Sequence, residues 1–272
     1  MMSKIALLSD IHGNMTALEV VLADAKKQEV NDYWLLGDLL LPGHGDSDLL
    51  DLLANIKPSV TVRGNWDDCF LEALDGQYGL EDCEEVYLLK LSQYLSRNVS
   101  PEHIQTIRET PLHVIREVEG IRFSISHNHP DKNWGGDLIH HAPQERIDEL
   151  FQKYPCDVAV YGHIHEQMLR YSSKGQMLIN PGSVGNPYYP WETLRKDFRA
   201  QYAILEVNGH GVSINFRKVF YDREKEIERA RQKDLPFFDL YTEQIRTSIN
   251  QTHNRTRLEE IIAREGYIKD LQ

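Results

Sequence analysis

The feature that most constrains this chain is a set of five short apolar runs, each of which stops at residues able to bind a metal ion. The runs end in SDIHGN (9–14), GD (37–38), GNWD (64–67), SHNH (126–129) and GHIH (162–165). Short apolar runs bounded by glycine and polar residues indicate buried strands. In a layered α/β sheet the strand ends gather at one edge, so we expect these polar residues to meet.

The rest of the pattern supports such a sheet. Strand patterns cover residues 4–9, 32–36, 59–62, 112–118, 121–126, 158–161, 168–171, 177–180, 201–207 and 212–220. Helical spacing covers residues 15–28 and 47–56, between the first three strands. This alternation predicts an α/β core. We expect a core over residues 1–220, a helical insertion or cap within it at 68–110, and a C-terminal helical appendage at 221–272.

Composition limits the class of partner. The net charge of −12 disfavours duplex nucleic acid, although a small phosphorylated substrate stays compatible because bound cations would offset the carboxylates. Neither a membrane span nor a signal-peptide pattern is evident, and the three scattered cysteines do not form a disulfide framework. We therefore expect a cytoplasmic protein. The helices outside the core could mediate homodimerisation.

Seven side chains at the strand ends are candidate ligands: Asp10, His12, Asp38, Asn65, His127, His163 and His165. Carboxylate, imidazole and amide donors without thiolate suit Mn, Fe or Zn, and the histidines disfavour an all-oxygen calcium site. We expect two divalent or trivalent transition-metal ions, with Mn and Fe as the first choice and Zn, Ni or Mg as alternatives.

The order DxH, GD, GN, H and GHxH resembles the calcineurin-like metallophosphoesterase family. The loop NPGSVG (180–185) is similar to one in the small bacterial phosphodiesterase branch of that family, so the resemblance covers about residues 3–220. It implies a four-layer αββα sandwich of two mixed β-sheets flanked by helices. It also implies in-line attack on phosphorus by a metal-bound hydroxide.

The resemblance assigns a role to each candidate ligand. It implies one metal held by Asp10, His12 and His165. It implies a second metal held by Asn65, His127 and His163, with Asp38 bridging the two ions. Of these residues, Asp38, Asn65 and His127 are also expected to take part directly in catalysis.

One position departs from the family pattern. Most relatives have histidine after the Gly-Asn pair, where it is thought to protonate the leaving group, but this chain has Trp66. An indole offers one N–H donor and is not a general acid near neutral pH. The departure favours leaving groups that depart as stable anions. His129 is a candidate replacement acid, with a solvated loop histidine as the alternative.

Further residues are candidate substrate contacts: Asn14, Trp66, His129, Tyr188 and Tyr189. The two tyrosines lie in an aromatic loop at residues 180–191 and could stack on a nucleobase or simply pack the loop onto the core. We expect hydrolysis of phosphodiesters and of nucleotide phosphoanhydrides such as diadenosine tetraphosphate or ATP. The alternatives are a phosphomonoesterase, a phosphoprotein phosphatase, and a non-catalytic protein-binding scaffold on the same fold.

Overall fold

The computed structural model describes residues 3–272, which form ten strands and ten α-helices. The strands are β1 (Ser3–Leu8), β2 (Asp32–Leu35), β3 (Val60–Thr61), β4 (His113–Val118), β5 (Ile121–Ser126), β6 (Val158–Val160), β7 (Gln167–Tyr171), β8 (Met177–Pro181), β9 (Ala200–Asn208) and β10 (Gly211–Val219). The helices are α1 (Met15–Lys27), α2 (Ser47–Asn55), α3 (Asn65–Leu74), α4 (Cys83–Asn98), α5 (Pro101–Glu109), α6 (Gln144–Lys153), α7 (Arg223–Gln232), α8 (Phe238–Thr247), α9 (Arg255–Glu265) and α10 (Tyr267–Leu271).

The strands form two mixed sheets of five strands each. The first has the order β10-β9-β1-β2-β3, with β1, β2 and β3 parallel and β9 antiparallel to both of its neighbours. The second has the order β4-β5-β6-β8-β7, with β5, β6 and β8 parallel and an antiparallel strand at each edge. The turns at 119–120 and 208–209 join the hairpins β4–β5 and β9–β10, as expected.

Alternation along the strands explains why the two sheets stack. In β1, Ile5 and Leu7 belong to a buried cluster that also contains Phe123 and Ile125 of β5, so this cluster fills the space between the sheets. Ala6 and Leu8, which alternate with them, pack instead with residues of the surrounding helices. Successive side chains of a strand point to opposite faces, so each central strand contributes to two apolar layers.

The outer faces of both sheets are covered by helices. Ile147 and Leu150 of α6 pack on Leu178 of β8 and Tyr161, covering the second sheet. The first sheet packs against α1 and α2 and against the later helices. The result is the four-layer αββα sandwich of two mixed sheets, and the predicted fold class is confirmed.

The helical insertion and the C-terminal helices share the core of the first sheet. Leu91 of α4, Leu240 of α8 and Ile261 of α9 lie in the same buried cluster as Leu18 of α1 and Leu49 of α2. Both additions therefore pack on the sandwich as part of one continuous apolar layer.

Two helices differ from the sequence expectation. Helix α3 begins at Asn65, three residues before the predicted insertion, because the chain turns directly from β3 into a helix capped by Gly64. Helix α6 was not predicted, although its buried residues Ile147, Leu150 and Phe151 follow the i, i+3, i+4 spacing of an amphipathic helix. Over residues 3–272, no helix has the length and apolar character needed to cross a membrane.

Candidate metal centre

Backbone hydrogen bonds bring the strand-end loops together. The amide of Asp10 donates to the carbonyl of Gly37 over 3.1 Å, and the amide of His12 donates to the carbonyl of Asp38 over 3.0 Å. In the second sheet, the amide of Gly162 in the loop after β6 donates to the carbonyl of His127 in the loop after β5 over 2.8 Å. These contacts fix the loops relative to one another before any side chain is considered.

The backbone is strained at most of the predicted ligands. Five of them have left-handed φ angles between 51° and 70°: Asp10, His12, Asp38, His163 and His165. Non-glycine residues seldom adopt this region, and when they do the surrounding structure must hold them there. The clustering of such residues at one place marks a site where side-chain direction matters more than local backbone energy.

Two glycines allow the loops to approach this closely. A Cβ on Gly64 would lie 2.1 Å from Oδ1 of Asp38, and a Cβ on Gly162 would lie 1.8 Å from Oγ of Ser9. Neither contact is sterically possible, so both positions require glycine.

The first group of side chains consists of Asp10, His12 and His165, which present potential ligand atoms within 4.8 Å of one another. Nε2 of His165 lies 3.2 Å from Oδ1 of Asp10 and 3.1 Å from Nε2 of His12. This grouping is the one that the resemblance assigns to the first metal.

The second group surrounds His127. Its Nε2 lies 3.3 Å from Oδ2 of Asp38 and 3.1 Å from Oδ1 of Asn65, and Nδ1 of His163 lies 2.9 Å from the same Asn65 oxygen. Both carboxylates lie between the groups: Oδ2 of Asp38 is 3.9 Å from Nε2 of His12, and Oδ1 of Asp10 is 3.9 Å from Nε2 of His127. The bridging role of Asp38 stays a prediction.

The donor atoms fit a bound cation. Nδ1 of His127 faces the carbonyl of Leu36 at 2.6 Å, and Nδ1 of His165 faces that of Asn186 at 2.7 Å; Nδ1 of His12 contacts the carbonyl of Leu41. A carbonyl accepts only an N–H, which leaves the Nε2 lone pair free for a metal. The Nε2 atoms of His12 and His165 then face each other with their lone pairs, an arrangement that a cation between them would relieve.

Without a bound cation, the buried carboxylates strongly shift the pKa values of the neighbouring histidines. Burial acts to lower the pKa of His127, but the Asp38 carboxylate overcomes it and raises that pKa to about 10. Burial and the neighbouring His127 lower the pKa of His163 to about 4. The pKa of Asp10 stays well below its ordinary value despite burial, because His165 and His127 favour its charged form.

One residue that the sequence analysis did not single out organises the centre. Asp67 is buried, and its carboxylate accepts hydrogen bonds from the amides of Asp38, Leu39 and Gly64. Burial and the charge of Asp38 raise its pKa to about 6. Asp67 thus joins the loop after β2 to the start of α3. Its position in the GNWD sequence, next to the ligand Asn65, was the feature that could have identified it from sequence.

A cleft of about 290 Å³ opens over the two groups. Its floor includes five of the predicted ligands, and Trp66, Cys69 and Leu88 form an apolar wall. The other lining residues are Pro42, Glu84, Asn186, Gln244, Asn250, Thr252 and His253. Four of these belong to the C-terminal region. The sequence analysis did not place that region near the metal ligands, because its polar residues resemble an ordinary solvated face.

The side chain of Asn14 has a structural role in the loop after β1. Its side chain is buried and caps α1 by accepting from the amide of Ala17, while Nδ2 donates to the carbonyl of Gly185 and to the hydroxyl of Tyr221. Asparagine directly before an apolar helix is a typical N-cap, and this signal was present in the sequence. Asn14 therefore supports the loop, and its contact with substrate stays a prediction.

The other expected substrate contacts divide into two kinds. Trp66 lines the cleft, with its ring edge-on to His12 at 6.1 Å between centroids. His129 instead pairs with Asp131 at 2.6 Å, Tyr189 contacts Lys218, and Tyr188 lies beneath Arg195. None of these three lines the cleft, so their predicted contacts with substrate receive no support from the geometry.

Comparison with known proteins agrees with the geometry. The chain is 26% identical over 250 residues to an uncharacterised protein of Methanocaldococcus jannaschii, a match that covers 86% of this chain and 94% of the other. A crystal structure of a metallophosphoesterase from Sphaerobacter thermophilus has a TM-score of 0.68 at 24% identity, covering 90% of this chain and all of the other. A hypothetical protein from Pyrococcus horikoshii has a TM-score of 0.73 at 15% identity, covering 91% and 99%.

These two structures share the fold of this chain. The decisive match is to the family model for the calcineurin-like phosphoesterase superfamily domain, which covers residues 2–210 and therefore all seven predicted ligands. Members use a pair of divalent metal ions to hydrolyse phosphate esters, and this chain has Asp and His groups that could bind such ions. The chain belongs to the calcineurin-like phosphoesterase superfamily.

Proposed function

We propose that this protein is a phosphodiesterase that acts on small diesters with good leaving groups. The observation that carries the proposal is the combination of the two ligand groups with a cleft wall containing Trp66 in place of a side chain able to donate a proton. Membership of the superfamily supports hydrolysis of a phosphate ester, and the residues that line the cleft support the choice of substrate.

The chain positions substrate without a protein nucleophile. Two cations held by the ligand groups would lower the pKa of water between them and neutralise charge on the phosphate oxygens. Asp38 and Asn65 line the floor of the cleft. The backbone amide of Trp66 donates a hydrogen bond to Oδ1 of Asp38 over 2.8 Å, which orients this carboxylate. The indole N–H of Trp66 is available to a phosphate oxygen, but the leaving group must depart without a proton from this position.

The charge of the cleft favours substrates with few negative charges. Among the described residues, neither lysine nor arginine lines it, and Glu84 adds a negative charge. Diadenosine tetraphosphate and ATP carry several phosphates that would need further cations. We therefore favour a diester over the nucleotide anhydrides that Trp66 alone would also allow.

For the metal, we propose Mn or Fe, because the ligands are oxygen and nitrogen donors without thiolate. The test is a screen of EDTA-treated protein with Mn, Fe, Zn, Mg and Ni. The substrates are bis(p-nitrophenyl) phosphate, p-nitrophenyl phosphate, ATP and diadenosine tetraphosphate. We expect metal-restored turnover to be greatest on the diester; a preference for the monoester or for diadenosine tetraphosphate would contradict the proposal.

A further inference from the structure

The C-terminal helices complete the cleft over the metal ligands. Gln244 on α8 and Asn250, Thr252 and His253 in the segment that follows it all line the same cleft as Asp38 and His165. These four residues, which we call the C-terminal wall, lie outside the 2–210 region that matches the family model.

Gln244 is the most informative member of the wall. It is only 7% exposed, and its helix buries Tyr241 and Ile245 on the same face, so the side chain is directed inward. Its side-chain amide has no hydrogen-bond partner within residues 3–272. The nitrogen and oxygen of this amide keep contact with the cleft, since neither is among the fully buried polar atoms that lack a partner. The amide is therefore open to a ligand that enters the cleft.

The wall is held in place against the helical insertion. Nδ1 of His253 lies 3.2 Å from Oε2 of Glu84, and Arg255 pairs with Asp82 at 3.0 Å. Oδ1 of Asn250 accepts the amide of Thr252 over 2.7 Å, which leaves Nδ2 of Asn250 free toward the cleft. These contacts fix the segment at the turn after Asn250 and again at His253 and Arg255, so its polar groups have a defined position.

The wall offers uncharged donors and acceptors. Gln244, Asn250 and Thr252 present amide and hydroxyl groups, while Trp66 and Leu88 supply an apolar surface in the same cleft. A primary amide can donate and accept side by side, which matches the edge of a nucleobase, and an aromatic ring suits its flat face. A charged ester group would find no counter-ion here.

We propose that the C-terminal wall forms a subsite for an uncharged nucleoside group, so that the substrate is a nucleoside phosphodiester with one charged phosphate. The proposal rests on the phosphodiesterase function and adds the identity of one ester group. It assigns Gln244 as a specificity-determining residue that hydrogen-bonds the base.

The experiment compares two diesters with the same charge and the same leaving group, thymidine 5′-(p-nitrophenyl) phosphate and methyl p-nitrophenyl phosphate. We expect kcat/KM to be higher for the thymidine ester. Gln244→Leu should lower the thymidine preference about three- to tenfold, the effect of one hydrogen bond between neutral groups, and leave the methyl ester unchanged. Asn215→Ala, at an exposed position on β10 outside the cleft, is the control and should change neither.

Binding provides a second measurement. We expect thymidine 5′-monophosphate to bind wild-type protein in calorimetry and to bind Gln244→Leu correspondingly more weakly, with an unchanged or higher melting temperature because no internal hydrogen bond is lost. Equal kcat/KM for the two diesters with no effect of Gln244→Leu would overturn the subsite while leaving the phosphodiesterase function intact. Absence of turnover on both diesters would contradict the phosphodiesterase function. If thymidine 5′-monophosphate also failed to bind, the subsite would be overturned too.

Discussion

The Nε2 atoms of His12 and His165 lie 3.1 Å apart, although 153 residues separate them in the chain. Both imidazoles turn Nδ1 toward a backbone carbonyl, so the two Nε2 lone pairs point at each other. Two neutral rings in this orientation repel each other, whereas a cation shared by both nitrogens and by Asp10 would make the arrangement favourable. The pair therefore predicts how the protein responds to metal.

Metal should stabilise the fold. Adding Mn or Zn to EDTA-treated protein is expected to raise the melting temperature, because an ion that binds only the folded state contributes about 2.7 kcal/mol at a hundred times its dissociation constant. Differential scanning fluorimetry over a metal titration measures this. His165→Ala should reduce the shift, and an equal shift in that variant would contradict the assignment of His165 as a ligand.

Asp38→Asn should affect both ligand groups. Oδ2 of Asp38 lies 3.3 Å from Nε2 of His127 and 3.9 Å from that of His12, so a neutral amide here weakens the site on both sides. We expect kcat on bis(p-nitrophenyl) phosphate to fall more than about a hundredfold, and the bound metal to fall below two ions per chain. Metal content is measured by mass spectrometry of the dialysed protein.

Asp48→Asn is the matched control for this substitution. Asp48 lies exposed in the first turn of α2, so both turnover and metal content should stay near wild type. An Asp38→Asn variant that kept two ions and wild-type kcat would show that Asp38 does not bridge the two metals.

The sequence predicted the parts of the fold that depend on local patterns. The continuous apolar run of β1, which includes Ile5, Leu7 and Leu8, indicated a buried strand, and the structure places these residues in two separate apolar layers. The five strand ends indicated that the ligands would meet. The ends converge within each sheet because β1, β2 and β3 are parallel in the first sheet and β5 and β6 are parallel in the second.

The parts that could not be predicted depend on tertiary packing. Gln244 lies in a helix whose other residues are largely charged or polar, and its type alone gave no sign that it would be buried beside a cleft. Tyr189 lies close to the ligands in sequence order but contacts Lys218, because the loop folds toward β10 instead of toward the site. Contacts of this kind join segments whose relative position no local periodicity specifies.

Trp66→His should restore activity on poor leaving groups. Trp66 lines the cleft beside His12, and histidine at this position would supply a proton that indole does not. We expect the ratio of kcat/KM for a p-nitrophenyl diester to that for an alkyl diester to fall by about ten- to a hundredfold. Trp66→Phe is the control, since it keeps a flat ring without a titratable group. Identical leaving-group dependence in both variants would refute a role for this position in proton donation.

Glu226 should couple the C-terminal helices to the loop beside the metal centre. It is fully buried on α7, where Oε1 lies 2.8 Å from Nε2 of His44 and accepts from the hydroxyl of Tyr241 over 2.6 Å, while Oε2 accepts from the amide of Thr16. Removing one partner of a buried charge network typically costs about 3–5 kcal/mol, so we expect Glu226→Gln to lower the free energy of unfolding by a few kcal/mol at neutral pH.

The pH dependence of this loss gives a specific test. Burial alone would raise the pKa of Glu226, but contact with His44 and the hydrogen bonds from Tyr241 and Thr16 hold it below its ordinary value. The carboxylate therefore contributes stability above the unfolded pKa, and this contribution is lost as the pH falls through the folded pKa. Urea denaturation of wild type and Glu226→Gln at pH 7 and at progressively lower pH should show the difference narrowing on acidification. A difference that stays constant or widens would mean that the charge of Glu226 does not hold the C-terminal helices against the core.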